Sequence, residues 1–280
     1  MAQSSANKKT PLIIFTDLDG TLLDHYNYSF DPAQEALKKI NDAKIPLIFC
    51  TSKTRSEIEV WREKLGNSYP FISENGGAIF YPQKENYSDS LQTCTRNQYR
   101  VIELGTYHPD LLKQFKKLKK VFGEKIRGFS EMDVSEVADF TGLPENQVAL
   151  AQKREYSEPF LFTGDKGEMK KLQILVKKCK LHITRGGRFF HLLGDNDKGK
   201  AVSIVIKGYE NVYPKLKSIA IGDSFNDLPM LQKVDIPVLV QKPKGIFDEK
   251  ISTLANIIRA PGVGPEGWNK ALIAILTQYL

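Results

Sequence analysis

The composition describes an ordinary globular protein and excludes several other classes. The chain has 280 residues, of which 41% are hydrophobic and 26% charged, so it can bury a substantial core. The net charge of +7 comes from 40 basic and 33 acidic residues, and the basic residues are scattered, so nucleic acid is not an expected partner. Three distant cysteines form no CxxC pair, which argues against a zinc site and favours a cytoplasmic location.

Neither a membrane span nor a targeting signal is predicted. No apolar run reaches the ~18 residues that a membrane span needs, so membrane association is not expected. Residues 1–10 are polar and lack an apolar signal-peptide segment, and we predict a disordered tail there. The sequence predicts no particular oligomeric state.

The first part of the chain alternates strand and helix signals. The predicted elements are, in chain order, a strand at 11–16, a helix at 31–43, a strand at 45–50, a helix at 55–65, a strand at 71–73 and a tight turn at 75–77. This order predicts βαβ units, and therefore a parallel sheet with right-handed crossovers.

The middle of the chain, residues 84–195, has a different and more polar pattern. The predicted elements are helices at 109–122, 135–140, 144–152 and 167–180, a strand at 159–162 and a hairpin at 181–193. This pattern favours an α+β domain inserted into the first one.

The first pattern returns near residue 197. The predicted elements are a helix that leads to a strand at 217–221, a helix at 228–233, a strand at 237–240 and a helix at 268–280. We therefore predict an α/β fold with a Rossmann-like, doubly wound parallel-sheet core at 1–83 and 196–280, interrupted by the inserted domain at 84–195.

Polar side chains follow three of the predicted core strands. Asp17 and Asp19 follow the first strand, Thr51 and Ser52 follow the second, and Asp223 follows the strand at 217–221. Ligands of an open parallel sheet bind at the carboxyl ends of its strands. These side chains therefore predict a single site at that edge.

Two carboxylates at this position suit phosphoryl transfer. Asp17 and Asp19 are two residues apart, point the same way in extended chain, and take different roles because like charges repel. One can attack a phosphate as nucleophile, while the other protonates the leaving group and deprotonates water. Mg²⁺ would relieve the anion–anion repulsion, with Asp223 as a further oxygen donor and Asn226 and Asp227 as polar support.

Two further residues complete the predicted chemistry. The Thr51 hydroxyl can donate to a phosphoryl oxygen, and Lys198 can neutralise the remaining negative charge. Each motif alone is more typical of a turn, a helix cap or a solvated surface. Their combination, in this order and next to apolar strands, favours a catalytic site.

These motifs carry a resemblance to a known superfamily. The segment 17–23 (DLDGTLL), Thr51, Lys198 and the segment 222–227 (GDSFND) resemble the four motifs of the haloacid dehalogenase superfamily of phosphatases. Residues 50–53 read Cys-Thr-Ser-Lys where many relatives have Ala-Thr-Gly-Arg, and we favour Thr51 over its neighbour as the phosphate donor.

The resemblance implies roles for the motif residues. It implies that Asp17 is the nucleophile and Asp19 the general acid and base. It implies that Mg²⁺ is held by Asp17, by the backbone carbonyl of Asp19 and by Asp223. The inserted domain resembles the large α+β cap that closes over the site in that superfamily.

Polar clusters in the inserted domain suggest the substrate. Arginine forks suit carboxylates and phosphates, acids suit sugar hydroxyls, and glycine amides allow close approach of an anion. The residues concerned are Arg154, Glu155, Ser157, Arg185, Gly186, Gly187, Arg188 and His191. They indicate a substrate with a polyol end and an anionic end. An ordinary surface hairpin with solvated arginines explains the residues at 185–191 equally well.

A closer resemblance narrows the substrate. The segments 73–78, 154–160 and 184–191 resemble the mannosyl-3-phosphoglycerate phosphatase family, which adds Glu74 and Asn75 to the expected substrate-binding residues. The resemblance implies hydrolysis of mannosyl-3-phosphoglycerate, and also of glucosyl-3-phosphoglycerate in some relatives, to the glycosylglycerate and phosphate through an aspartyl-phosphate.

Three alternative functions remain at this point. The same chemistry would serve a sucrose-phosphate-type or other sugar phosphatase, or a hexose phosphomutase. A non-catalytic ligand-binding relative is disfavoured, because Asp17, Asp19 and Asp223 are all present.

Overall fold

A computed structural model describes residues 10–83, 93–186 and 189–280. All of the predicted tail except its last residue therefore lies outside the described residues. The strands are β1 (Leu12–Thr16), β2 (Leu47–Cys50), β3 (Phe71–Ser73), β4 (Ala78–Pro82), β5 (Cys94–Arg96), β6 (Tyr99–Glu103), β7 (Ile126–Gly128), β8 (Ser157–Phe162), β9 (His182–Gly186), β10 (Phe189–Leu193), β11 (Lys217–Gly222), β12 (Ile236–Gln241) and β13 (Ile258–Val263).

Helices cover the sheets and connect their strands. They are α1 (Gln34–Asp42), α2 (Arg55–Lys64), α3 (His108–Phe122), α4 (Val134–Thr141), α5 (Glu145–Ala151), α6 (Lys166–Lys178), α7 (Lys198–Glu210), α8 (Leu228–Leu231) and α9 (Pro265–Tyr279). None of these described helices has the length and apolar character needed to cross a membrane.

The larger sheet confirms the predicted α/β class. Its order among the described strands is β13-β12-β11-β1-β2-β3-β4-β6-β5. Neighbouring strands pair in parallel from β13 to β3 and antiparallel from β3 to β5. The parallel part places β1 between β2 and β11, so the three strands that precede the predicted site residues are neighbours.

Side chains of β1 alternate between two buried layers. Ile14 packs into a cluster that includes Trp268 of α9, whereas Ile13 and Phe15 pack into a cluster that includes Val205 of α7. All five residues of β1 are buried, as expected for a central parallel strand covered on both faces. This three-layer packing fixes the strand that leads to Asp17.

The smaller sheet lies within the inserted segment. Its order is β7-β8-β10-β9, and its pairs are antiparallel. Phe115 of α3 and Leu172 of α6 pack against Phe160 of β8. Strands β9 and β10 form the predicted hairpin, and its turn at 187–188 lies outside the described residues.

The structure assigns two strands of the predicted insertion to the larger sheet. β6 pairs with β4, and β5 pairs with β6, although the prediction placed the insertion at 84–195. β5 is the edge strand and is mostly exposed, whereas β6 lies between β4 and β5 and buries Tyr99, Val101 and Ile102. The division into two domains remains a prediction, and sheet membership favours a cap domain that begins after residue 103.

Candidate active site

The nucleophile candidate lies where β1 leaves the sheet. The backbone amide of Asp17 donates to the carbonyl of Ile221 on β11 at 3.0 Å. The hydroxyl of Thr16 donates to the backbone carbonyl of Asp17 at 2.7 Å and accepts from the indole Nε1 of Trp268 at 3.0 Å. The carboxyl end of β1 is therefore held from the sheet and from α9 together.

Lys198 joins two carboxylates beneath the sheet edge. Its ammonium Nζ lies 2.6 Å from Oδ1 of Asp17 and 2.6 Å from Oδ1 of Asp227, and all three side chains are buried. Burial lowers the pKa of Lys198, but the carboxylates of Asp17 and Asp227 outweigh it and raise this pKa above the ordinary value. Lys198 therefore stays charged beside Asp17, as its predicted role requires.

The turn at 222–227 places the third acid. The amides of Asp223 and Ser224 both donate to Oδ2 of Asp227 at 3.0 Å, and the Ser224 hydroxyl donates to Asp223 at 2.7 Å. Across the site, Gly20 has φ +76°, and a side chain there would start 3.3 Å from the Asp223 carboxylate. Gly20 thus allows the chain after β1 to turn beside Asp223.

The acids form a set that suits a hard cation. Asp17, Asp223 and Asp227 each offer a carboxylate oxygen, and these atoms lie within 4.8 Å of one another. Burial raises the pKa of Asp17, with Lys198 opposing this rise, and burial together with Asp227 raises the pKa of Asp223 to about 7. Burial disfavours several negative charges so close together, and a divalent cation would compensate them. Three buried oxygen donors therefore suit an ion such as Mg²⁺. Asp227 belongs to this cluster as well as to the Lys198 pair.

The second acid has a cation partner, Lys53, to which the sequence pattern gave no role. Lys53 Nζ lies 3.0 Å from Oδ1 of Asp19 and 3.4 Å from Oε1 of Glu57. Glu57 also caps α2, since its carboxylate accepts from the backbone amide of Thr54 and the Thr54 hydroxyl accepts from the amide of Glu57. The S/T-x-x-E pattern at 54–57 marks this cap in the sequence, but nothing local shows that Lys53 reaches Asp19.

The two candidates for phosphate donor occupy different positions. Thr51 is fully buried, and its hydroxyl accepts from the backbone amide of Lys53 at 3.3 Å. Ser52 lines the cavity described next. The choice of Thr51 over Ser52 remains a prediction.

A cavity of about 630 Å³ opens between the edge of the larger sheet and the smaller sheet. The site residues predicted from the sequence that line it are Asp17, Asp19, Asp223, Asn226, Arg154, Arg185, Gly186 and His191. Lining residues that were not predicted from the sequence include Lys53, Phe129, Phe189, Lys242 and Asp248. Gly187 and Arg188 lie outside the described residues.

Two side chains of the inserted segment, Arg154 and His191, line the cavity and differ in their contacts. Arg154 donates to the carbonyls of Ala151 at 2.6 Å and Ser52 at 2.8 Å. It therefore connects the inserted segment to the loop after β2. His191 is buried, and its pKa falls to about 3 because of burial and the nearby Arg154 and Lys198 charges. At neutral pH His191 is therefore uncharged and offers one N–H donor and one acceptor.

Three predicted substrate-binding residues lie in the contact between the two sheets. Glu74 is buried, and its carboxylate accepts from the amides of Glu155 at 2.8 Å and Tyr156 at 3.1 Å and from the Ser157 hydroxyl at 2.5 Å. Glu155 pairs with Arg55 at 3.0 Å. Glu74, Glu155 and Ser157 are not among the described residues that line the cavity, and their substrate-binding role remains a prediction.

Asn75 connects the 222–227 motif with the segment that precedes Lys198. Its side-chain oxygen accepts from Asn226 at 3.1 Å, and its backbone carbonyl accepts from Asn196 at 3.3 Å. The next residue, Gly76, has φ +87°, and a side chain there would start 2.2 Å from the carbonyl of Asp197. The turn at 75–77 therefore packs directly against the segment that carries Lys198.

Comparison with known proteins decides the family. A model of the family described as haloacid dehalogenase-like hydrolase matches residues 14–244. The chain belongs to this family. The match confirms the resemblance to the superfamily, and it includes all four motifs.

Curated relatives of this haloacid dehalogenase-like hydrolase cover almost its whole length. A glucosyl-3-phosphoglycerate/mannosyl-3-phosphoglycerate phosphatase of Methanococcoides burtonii is 47% identical over 94% of this chain and 97% of its own. A protein of the same description from Persephonella marina is 40% identical over 95% of this chain and 98% of its own. A crystal structure from Thermoplasma acidophilum has a TM-score of 0.67 at 18% identity, covers 97% of this chain and 98% of its own, and so shares the fold.

Proposed function

We propose that this protein is a Mg²⁺-dependent phosphatase that hydrolyses mannosyl-3-phosphoglycerate, and also glucosyl-3-phosphoglycerate, to the glycosylglycerate and phosphate. The observation that carries the chemistry is the buried contact of Asp17 with Lys198, next to Asp223 and open to a large cavity. The names of the curated relatives support the substrate class.

The first step forms a covalent intermediate. Lys198 contacts Oδ1 of Asp17, so we assign the attack on phosphorus to the second oxygen of Asp17. As the new O–P bond forms, the bond from phosphorus to the glycerate oxygen breaks, and Asp19 gives its proton to that oxygen. The products of this step are the glycosylglycerate and an aspartyl-phosphate on Asp17.

The second step regenerates the enzyme. Water attacks phosphorus, Asp19 accepts its proton, and the bond between phosphorus and Asp17 breaks to release phosphate. Lys198 compensates the negative charge of Asp17 whenever Asp17 carries no phosphoryl group. A bound Mg²⁺, which Asp17, Asp223 and the backbone carbonyl of Asp19 would hold with Asn226 and Asp227 nearby, would supply charge stabilisation for the phosphoryl group.

The cap wall would select the remainder of the substrate. Arg185 faces the cavity from β9 and suits the glycerate carboxylate, while neutral His191 suits a sugar hydroxyl. Phe129 and Phe189 line the same cavity and would exclude water from the reacting groups. The free thiols of Cys50, Cys94 and Cys179 agree with a cytoplasmic enzyme.

A phosphate-release screen tests this proposal. The substrates are mannosyl-3-phosphoglycerate, glucosyl-3-phosphoglycerate, sucrose 6-phosphate and simple hexose phosphates, each with Mg²⁺. We expect the highest kcat/KM for the two phosphoglycerates. Faster turnover of sucrose 6-phosphate, or hexose phosphate isomerisation without phosphate release, would instead establish one of the alternative activities. The absence of activity on every substrate would refute the proposal.

A further inference from the structure

We propose that Lys53 is a positioning residue that orients Asp19 for proton transfer to the leaving oxygen. The inference rests on the proposed function, in which Asp19 is the general acid. It gives a role to Lys53, in the loop after β2, to which the sequence analysis assigned none.

The geometry around Asp19 is asymmetric. Oδ1 of Asp19 is itself buried and lies 3.0 Å from the Lys53 ammonium, whereas 41% of the Asp19 side chain as a whole is exposed. The exposed oxygen of the carboxyl group is therefore the one that Lys53 does not hold. Because Asp19 lines the cavity, this free oxygen is the one available to a substrate.

Lys53 is in turn held in place by several groups. Only 6% of its side chain is exposed, its ammonium lies 3.4 Å from Glu57, and it lies over the ring of Tyr28 at 5.2 Å from the ring centre. Glu57 is fixed by the capping box of α2 and by Arg154, whose guanidinium lies 3.7 Å from it. A charged group with so little freedom can restrict the rotamers of the carboxylate that it contacts.

The contacts separate Lys53 from the groups that bind the phosphoryl group. The positive charge next to the nucleophile is Lys198, which pairs with Asp17 and Asp227. The charge of Lys53 is shared between Asp19 and Glu57. Lys53 therefore acts through Asp19, and its loss should impair the protonation of the leaving group more than the attack on phosphorus.

Leaving-group dependence provides the test. General acid catalysis contributes about 10²–10⁴-fold where the leaving group is a poor one, such as an alkoxide. A phenolate such as that of p-nitrophenyl phosphate leaves without a proton. For Lys53→Met we expect kcat/KM to fall roughly 10–100-fold for mannosyl-3-phosphoglycerate and less than about 3-fold for p-nitrophenyl phosphate. Lys53→Arg should recover part of the loss.

Two comparison variants isolate the role of Lys53. Lys242→Met removes an equal charge from the cavity wall, where Lys242 pairs with Asp248 at 2.8 Å, and should affect both substrates alike. Asp19→Asn removes the acid itself, and adding Lys53→Met to it should cause no further selective loss, because the two residues act as one unit.

The outcomes distinguish this inference from the proposed function. A wild-type enzyme inactive on both substrates would refute the function. An active enzyme in which Lys53→Met loses equally on both substrates, or on neither, would refute the inference alone. Thermal unfolding of each variant is measured beside the kinetics, and an equal loss on both substrates counts against the inference whether or not the midpoint falls.

Discussion

The two sides of the cavity differ in how their polar groups are paired. The core side carries the residues at the edge of the larger sheet, and the cap side carries those of the smaller sheet. On the core side, Asp17, Lys198 and Asp227 are buried, and the ammonium of Lys198 lies 2.6 Å from each of the two carboxylates. On the cap side, Arg185 is exposed and stacks over Phe190, and Nδ1 of His191 is buried without a hydrogen-bond partner among the described residues. The reacting groups are thus preorganised by their own contacts, whereas the cap offers polar groups that a ligand can still satisfy.

Asp17→Asn should give the largest loss on the core side. Removing a nucleophile should lower kcat by roughly 10⁴-fold or more, because the covalent step is lost while the cavity is unchanged. Phosphate release measures the loss. Asp42→Asn, at the exposed end of α1, is a control expected to retain wild-type turnover. Near wild-type activity of the Asp17 variant would overturn its assignment.

Removal of the metal should also abolish catalysis by the residues on the core side of the cavity. Chelation by EDTA is expected to abolish turnover, and added Mg²⁺ to restore it. Since burial and Asp227 raise the pKa of Asp223 to about 7, protons compete with the cation below that pH. Mg²⁺ affinity, measured by titration calorimetry, should weaken by up to about tenfold per pH unit as the pH falls from 7 to 5.

The same pKa predicts how the metal-free protein responds to pH. A folded-state pKa of about 7, against an ordinary value of 3.8, means that folded Asp223 holds its proton more tightly than the unfolded chain does. Stability without metal should therefore fall as the pH rises from about 4 to about 7, and Mg²⁺ should reverse this fall. Asp223→Asn should weaken both effects in thermal unfolding curves, with a remainder from Asp17, whose pKa burial also raises; unchanged effects would exclude Asp223 as a source.

Glu74→Ala tests the contact between the two walls. It would leave two backbone amides and the Ser157 hydroxyl without their buried acceptor, so the free energy of unfolding should drop by about 3 kcal/mol. Glu35→Ala, which breaks an exposed pair with Lys39, should cost less than about 1 kcal/mol. Denaturant unfolding measures both. A rise in KM with unchanged stability would favour the predicted substrate-binding role of Glu74.

Arg185→Ala should have the smallest effect, confined to recognition. Loss of a charged hydrogen bond to the glycerate carboxylate should raise KM for mannosyl-3-phosphoglycerate by about 10–100-fold, with kcat little changed. Arg185→Lys keeps the charge and should recover part of the affinity. Steady-state kinetics with p-nitrophenyl phosphate, which lacks the carboxylate, should show no such rise. Equal rises for both substrates would remove Arg185 from substrate selection.

The position of the core acids was predictable because it follows the sheet. Asp17, Asp19 and Asp223 each follow an apolar strand, and parallel strands bring their carboxyl ends together whatever the intervening chain does. The sequence could therefore place the acids at one edge before any distance was known, and the resemblance of the motifs added Lys198.

The contacts of the cap were not predictable in the same way. Glu74 and Ser157 are polar residues near strand ends, as catalytic residues are, but they meet each other across 83 positions in the chain. Local patterns give no measure of how one sheet is placed against the other. For the same reason the sequence could not distinguish Lys53, which reaches Asp19, from any other lysine at the start of a helix.

The hydrogen bond from Trp268 to Thr16 has a consequence for biosynthesis. The indole donor lies 252 residues after the strand residue that it contacts, in the last of the described helices to be translated. Strand β1, which leads to Asp17, therefore leaves the ribosome long before the helix that completes its packing. We expect the nascent chain to remain inactive until α9 has emerged, so a ribosome stalled within this helix would display a chain that contains every strand of the larger sheet but shows no turnover.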